Sequence, residues 1–414
     1  MRTDAPHQAP PHVLVLHRWR DRHADYAAYL DHATHRVSYV TTAPGRESVP
    51  ATAAAVTTVS ATDALDEVRA AVNAAARRLG PVTRLVALNE GDLDTAAALR
   101  AELGLPGQRP EALRRFRDKL TMVTVAAGAG LAVPAHADAS GPGVVADFAR
   151  RHGWPAVLKP RRGTASRGVT VLRDPRDVPD AATFDAEPLI VQSYVADPVM
   201  HIDGLWTGRR LGPWRASRYL NTCRGFAQGE FLGSVEIDDP GLLGALEEFT
   251  RRCAFALGGG QPWVFHLEAF VGRARGGTPR ITFLEAGARV GGGEIPFVWR
   301  EVHGTDLMGA AAAIQLGRRP ALASPPAGDT AGWLLLPVPV PPPCRVVSVR
   351  VGAQETHGPY ARVIAAPGAV IPRIGGYEHV AARFRFRGSS SQEVEAAVMK
   401  TAASFSMHCA PLPS

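Results

Sequence analysis

The first 110 residues alternate short apolar strands with helical stretches, and this rhythm limits the fold more than any other feature of the chain. Strand-like runs at 13–16, 37–41 and 84–88 are separated by helix-forming stretches at 25–32 and 62–79. Strands joined through helices run parallel, so this order predicts a doubly wound parallel sheet with its site at the carboxyl ends of the strands. Asn89 and Glu90 fall at such an end. They read either as contacts to a polar substrate or neighbouring domain, or as a loop leading into a helix.

The turn-rich run Leu103-Gly104-Leu105-Pro106-Gly107 closes this region. A helix rich in Arg and Ala is predicted from 110 to about 127, stopped by the Gly and Pro of 128–134. A helix at 144–152, a strand at 156–159, a Gly-containing loop at 161–168 and a strand at 169–173 follow. Further strands fall at 189–195, 201–207, 263–271 and 280–286, with a helix at 242–257. The Pro-rich stretch 336–343 leads into strands at 346–351 and 381–387 and a closing helix at 392–405.

A chain of 414 residues exceeds the roughly 150-residue prior for one domain two- to three-fold, which predicts two or three packed units. No apolar run approaches the roughly 18–20 residues of a membrane span, and no apolar core of a secretory signal precedes residue 13. The expectation is a cytoplasmic globular protein. Four cysteines without C-x-x-C spacing suggest neither a disulfide framework nor a thiolate zinc site.

The balance of 46 basic against 39 acidic residues, +7, hints at nucleic acid, but the arginines are scattered and aromatic residues make up only 7%. Only three of the basic residues are lysines: Lys119, Lys159 and Lys400. Where coding bias favours arginine, a lysine is either accidental or marks a place for a compact ammonium on a flexible stem.

Lys159 ends a buried-strand pattern and is followed by Pro160-Arg161-Arg162-Gly163-Thr164-Ala165-Ser166-Arg167-Gly168 and a returning strand. Small residues let backbone N–H groups approach phosphate oxygens, and the lysine adds a point charge. A strand follows the loop and Gly-Lys-Ser/Thr is absent, so this is a β-hairpin lid or a solvated hairpin, and not a P-loop. A second hairpin joins 263–271 to 280–286. If Gly276 and Gly277 form a two-residue turn, Glu268 stands directly opposite Glu285. Facing carboxylates destabilise a sheet unless neutralised, which Mg²⁺ would do; two exposed strand glutamates are the alternative. Finally, Arg289 precedes Val290-Gly291-Gly292-Gly293, which reads as a guanidinium beside room for a carboxylate or as a plain loop.

Taken in this order, these residues resemble the ATP-grasp superfamily from about Leu85 to Ala313. The stretch from Leu88, Asn89 and Glu90 to Arg117, Asp118 and Lys119 is similar to the segment leading into that fold, where the lysine contacts ATP phosphate. Lys159 and its hairpin resemble the second nucleotide lysine and the lid, which assigns Gly163, Thr164, Ala165, Ser166, Arg167 and Gly168 to the nucleotide. Gln192, Ser193, Tyr194 and Val195 match the linker whose backbone holds adenine, with Gln192 where members usually carry Glu. Glu268 and Glu285 match the two metal-binding acids, and Arg289 matches the arginine that steadies an acyl phosphate. Two positions depart. Gly287 stands where Asn is common, leaving the third metal ligand to water or another group. A ribose-binding Glu expected near Val199 is missing, with Asp197 or Asp203 as substitutes.

The resemblance implies an α/β protein, with α+β in its ATP-grasp part. A doubly wound parallel-sheet domain would span 1–109, a small lid subdomain 110–195, and a large subdomain with the metal site and a strand-rich extension 196–414. The segments His201-Ile202-Asp203-Gly204 and Arg289-Val290-Gly291-Gly292 are close to the branch that joins free amino acids. The implied activity is that of a carboxylate–amine ligase of the dipeptide-forming L-amino acid ligase type, using ATP and Mg²⁺. A carboxylate would be phosphorylated to an acyl phosphate and attacked by an amine, giving amide, ADP and phosphate. Arg289 and Lys159 would be catalytic. Glu90, Arg218, Arg289, Gly291 and Gly292 are candidate substrate contacts, and Trp206 with the Arg-rich segment 208–218 is a further one. Amino acids, as small-molecule substrates, are the expected partners, neither nucleic acid nor membrane is, and a homodimer is a permitted assembly because members are often dimers. Heavy Arg, Ala, Gly and Pro use suggests a high-GC bacterial coding bias and a role in specialised metabolism. The alternative is a catalytically inactive regulatory protein on the same fold, to which Gly287 and Val199 point.

Overall fold

The structure, a computed structural model, describes residues 10–20, 23–164, 166–321, 328–352, 358–373 and 380–413. It divides into two compact units, Met1–Leu113 with Asp306–Ala321, and Arg114–Thr305 with Leu322–Ser414. Among the described residues no helix is long and apolar enough to cross a membrane.

The first unit is built on four parallel strands, β1 (His12–His17), β2 (Arg36–Thr41), β3 (Ala55–Thr58) and β4 (Val82–Ala87), ordered β3-β2-β1-β4. The order reverses between β1 and β4, as the strand–helix rhythm predicts for a doubly wound sheet. Val13 to Leu16 and Leu85 to Ala87 are fully buried, which is why these strands read as unbroken apolar runs. The helix Leu65–Leu79 turns Val68, Ala71, Val72 and Ala75, at helical spacing, into the same core. Asn89 and Glu90 follow β4 at its carboxyl end, where the Asn89 side chain accepts the Gly91 N–H and Glu90 opens a short 3-10 turn. The helix Leu307–Gln315 belongs to this unit although it is distant in sequence. Its Gln315 amide pairs with Ala87 as another strand would, accepting from the N–H at 2.9 Å and donating to the carbonyl at 2.8 Å.

The single helix expected over 110–127 is two, Pro110–Arg117, which crosses the boundary at Leu113, and Lys119–Gly128, which belongs to the second unit. Asp118 is the N-cap of the second, accepting from the N–H groups of Leu120 and Thr121. The apolar spacing of Leu113, Phe116, Leu120 and Val123 runs straight across the break, so periodicity alone hides it. An antiparallel sheet follows, β5 (His136–Ala139), β6 (Ala156–Pro160), β7 (Thr170–Leu172) and β8 (Leu189–Ser193), ordered β5-β8-β6-β7.

The large antiparallel sheet contains β9 (Val199–Trp206), β10 (Leu211–Tyr219), β11 (Leu232–Glu236), β12 (Trp263–Arg273), β13 (Pro279–Gly287), β14 (Thr330–Leu336), β16 (Ala361–Ile364) and β18 (Ala382–Gly388). Its order is β13-β12-β9-β10-β11-β14-β18-β16, and β15 (Cys344–Arg350), β17 (Val370–Ile371) and β19 (Ser406–Pro411) form a separate small sheet. Strand β10 was not expected, because Gly212, Pro213, Arg215 and Arg218 interrupt any apolar alternation; pairing with β9 supplies what propensity lacks. Along β12, Trp263, Phe265, Leu267, Ala269 and Val271 face a core shared with Met122, Val123, Leu246, Phe249 and Cys253 of the helices Lys119–Gly128 and Pro240–Gly258. The intervening His266, Glu268 and Phe270 therefore lie on the other face. Register places Glu285, Glu268, His201, Ser217 and Glu236 in one row across five strands, with His266 beside Asp203 in the next.

Candidate active site

Glu268 and Glu285 are directly opposed, as expected, but the route to that pairing differs from the two-residue turn. Arg273 pairs with Pro279, leaving a five-residue loop of Ala274, Arg275, Gly276, Gly277 and Thr278. The pairing Ala269 with Phe283 is consequently one residue out of step with Glu268 and Glu285. A bulge at Leu284 restores the step: Phe283 and Ala286 point into the core, while Leu284 and Glu285 both turn to the cleft. Pro279, which cannot donate to the ladder, is the physical reason the tight turn does not form.

Lys119 pairs with Glu285, and Lys159 lies near enough to feel the charge of both carboxylates. Lys119 Nζ donates to the Gly163 carbonyl at 2.9 Å and lies 3.5 Å from Glu285 Oε2. Lys159, on β6, is only 5% exposed, and burial pulls its ammonium from 10.5 down to about 8, with Glu285 opposing the fall and Lys119 adding to it. The hairpin after β6 is tied at its base, since the Arg161 carbonyl accepts the Lys119 N–H and the Arg161 guanidinium pairs with Asp118. Ser166 and Gly168 take the left-handed backbone conformation there, and a Cβ at Gly168 would meet the Pro160 ring at 2.8 Å.

A cleft of about 600 Å³ collects these groups. It is lined by Lys119, Lys159, Gly163, Thr164, Ser166, Arg167, Gln192, Ser193, Tyr194, Val195, Glu268 and Glu285, all among the sequence candidates. Ala165 lies outside the described residues. Val157, Val169, Val171, Phe270 and Leu284 supply apolar walls, and this size and lining suit a small-molecule ligand. Gln192 is buried, and its Nε2 has no hydrogen-bond partner among the described residues. Five polar or ionisable lining residues, Tyr219, Asn221, Thr222, Cys223 and Arg224, were not anticipated, because Tyr219 ends the unrecognised strand β10 and the other four follow it.

Several candidates are held elsewhere. Arg218 makes a two-pronged ion pair with Glu395 of the helix Ser391–Ser404 and does not line the cleft. Trp206 is a core residue whose Nε1 donates to the Gly259 carbonyl. Asp197 pairs with Arg280, and Asp203 is buried between two histidines, so neither carboxylate replaces the ribose acid missing at Val199. Arg289 Nη1 donates to the Val290 carbonyl, and Arg289 is not part of the cleft lining. Gly291 is small for a packing reason: a Cβ there would lie 2.6 Å from Asp203 Oδ1 and 2.8 Å from His266 Nδ1. The Gly292 carbonyl accepts the Ile295 N–H. Glu90 belongs to the other unit.

Beside Glu268 runs a buried polar chain. His201 Nδ1 lies 2.6 Å from Asp203 Oδ2, and His266 Nδ1 lies 2.8 Å from Asp203 Oδ1. Burial opposes charge on His266, but the facing Asp203 carboxylate outweighs it and raises the imidazole to about 9. Burial likewise opposes ionisation of Glu268, and His266 and Tyr219 hold it below the usual carboxylate range. The Cys223 thiol is pushed up to about 12 by burial and the nearby Glu268, so it is a poor nucleophile.

No protein-family model matches the chain. Uncharacterized protein y4rH of Sinorhizobium fredii is 36% identical over 90 residues, and the carbamoyl phosphate synthase large chain of Beutenbergia cavernae is 27% identical over 149. These matches take in 22% and 32% of this chain, which spans only 19% and 13% of the length of those relatives. Solved structures match nearly throughout. An L-amino acid ligase from Bacillus licheniformis has a TM-score of 0.71 at 15% identity, covering 97% of this chain and 99% of that one. The N5-carboxyaminoimidazole ribonucleotide synthetase of Thermotoga maritima has a TM-score of 0.66 at 12% identity, covering 96% and 99%. The biotin carboxylase domain of a Hydrogenobacter thermophilus 2-oxoglutarate carboxylase, a dimer in complex with MgADP, ADP and bicarbonate, gives 0.66 at 13% identity, covering 97% and 92%. With two lysines and two opposed carboxylates in one cleft between a small and a large antiparallel sheet, the chain has the fold of the ATP-grasp enzymes.

Proposed function

We propose that this protein is an ATP-dependent carboxylate–amine ligase that joins an amino-acid carboxylate to an amine, in the first instance a second amino acid. The observation that carries the reading is the opposition of Glu268 and Glu285 across β12 and β13, with Lys119 and Lys159 in the same cleft. Hard oxygen donors in facing pairs suit Mg²⁺ shared with nucleotide phosphates, and these two side chains would hold it. When bound, the cation would supply charge to the phosphate oxygens.

The remaining work falls to the chain itself. Gln192 to Val195 and the apolar walls would take the adenine, and the Gln192 amide, which has no partner among the described residues, is a donor at that end. Lys119 and Lys159 would neutralise phosphates, and the hairpin of 161–168 would close over them and keep water from an acyl phosphate. Asn221 is a candidate for the ribose hydroxyls: β10 pairs Arg218 with Met200, which carries the chain past Val199 to Asn221. Arg289 would reach the acyl phosphate by leaving the Val290 carbonyl once substrate is bound. The small sheet, 136–193, would be the lid subdomain, and the large sheet would hold the metal and substrate.

The test is incubation with ATP, Mg²⁺ and pairs of amino acids, read by ADP release and product mass. Formation of ADP that depends on an amino acid, with a product heavier by the second amino acid less water, is expected. Nucleotide binding without turnover across the panel would favour a regulatory protein instead. Glu285→Ala is expected to lower turnover by at least about 100-fold, the scale on which one electrostatic contact to reacting charge acts.

A further inference from the structure

We propose that Tyr219 and His266, the latter oriented by Asp203, are positioning residues that hold one oxygen of Glu268 and reserve the other for the cation; this rests on reading Glu268 and Glu285 as the metal acids. The Tyr219 hydroxyl donates to Glu268 Oε1 at 2.8 Å, and His266 Nε2 lies 3.7 Å from the same Oε1. The last torsion of a glutamate is broad and roughly two-fold, so an unrestrained carboxylate presents either oxygen. Two groups converging on Oε1 leave Oε2 as the oxygen free to face a ligand in the cleft. His266 is itself fixed, because its Nδ1 meets Asp203 Oδ1 and the other oxygen of Asp203 meets His201, whose Nε2 lies 2.7 Å from Ser234 Oγ. Gly291 leans against this pair with no room for a Cβ.

The same His201, Asp203 and His266 atoms lie within 4.8 Å of one another and could be read as a metal centre of their own. The separations of 2.6 and 2.8 Å between each imidazole and its own Asp203 oxygen fit hydrogen bonds, and both carboxylate oxygens are occupied. A chain of hydrogen bonds that runs from Ser234 through His201 and Asp203 to His266, whose ring then faces Glu268 Oε1 across 3.7 Å, is the arrangement that orients ligands from behind.

The experiment measures Mn²⁺ binding by electron paramagnetic resonance in the presence of ADP, alongside ADP binding without metal. His266→Asn keeps an amide at the Nδ1 position for Asp203 but removes the group facing Glu268. It is expected to weaken Mn²⁺ about 10- to 100-fold with metal-free ADP affinity unchanged. Tyr219→Phe should act in the same direction. His266→Gln, whose amide reaches the Nε2 position, should recover most of the loss. Because both groups act on one oxygen, the Tyr219→Phe, His266→Asn pair should lose less than the product of the single losses. Folded His266→Asn and Tyr219→Phe proteins that bind Mn²⁺ as the unmodified protein does would overturn the positioning role while leaving the metal acids intact. Failure of the unmodified protein to bind Mn²⁺ with ADP would remove both. Tyr219→Phe deletes a single hydroxyl at the cleft wall and decides the matter alone if His266→Asn does not fold.

Discussion

Lys159 concentrates the electrostatics of the site in one residue. Burial depresses its ammonium from 10.5 to about 8, so between those values the unfolded chain binds the proton more readily than the folded one. The residue therefore costs stability below pH 8, and that cost is relieved as pH rises through the window. Phosphate oxygens beside it would restore the charge, coupling nucleotide binding to proton uptake. Calorimetric titration with ADP at pH 8.5, in two buffers of different ionisation enthalpy, is expected to reveal uptake of up to one proton that Lys159→Met abolishes. Identical heats in both buffers would contradict it. Residue identity was legible here: with only three lysines, a compact ammonium at 119 and 159 stood out against the arginines.

At the scale of elements, the hairpin of β12 and β13 carries the lesson. A two-residue turn and an unbroken ladder put Glu268 opposite Glu285, and so do a five-residue loop and a one-residue bulge. Two departures of opposite sense cancel at the site, so the pairing was readable although neither departure was. If the bulge and the core contacts of Phe283 and Ala286 set the register, the loop itself is dispensable. Replacing 274–278 by Asn-Gly together with Pro279→Thr, which restores the N–H that a tight turn needs, is expected to leave Mn²⁺ and ADP binding intact, whereas a lost Mn²⁺ site would mean that the loop sets the register. Asp118 is a second such element. It caps the helix that begins at Lys119 and holds Arg161 at the base of the hairpin. Asp118→Ala should cost about 1–2 kcal/mol in urea unfolding and raise the KM for ATP by loosening Lys119.

At the scale of the molecule, the two units have separate cores, one around Leu14, Val68 and Leu85 and one around Met122, Phe265 and Leu267. Every residue lining the cleft belongs to the second unit. A ligand stabilises what it binds, by about 2.7 kcal/mol at 100 times its Kd. Hydrogen exchange with and without MgADP is therefore expected to gain protection over 161–173, 192–195 and 268–285, with β1 and β4 unchanged. Protection confined to the first unit would place the nucleotide elsewhere.

Local chemistry is what the sequence by itself determined: the parallel sheet from its strand–helix rhythm, the two lysines, the hairpin loop and the paired glutamates, each a feature of neighbours along the chain. Tertiary structure alone decided which of those groups share a cleft and which are occupied elsewhere. Arg218 is claimed by Glu395, 177 residues away, and Asp203 by His266, 63 away. Gln315 completes the edge of β4 across 228 residues. Partners at such separations leave no periodic trace in one sequence, because the pairing depends on strand register and sheet order, which only the packed chain sets.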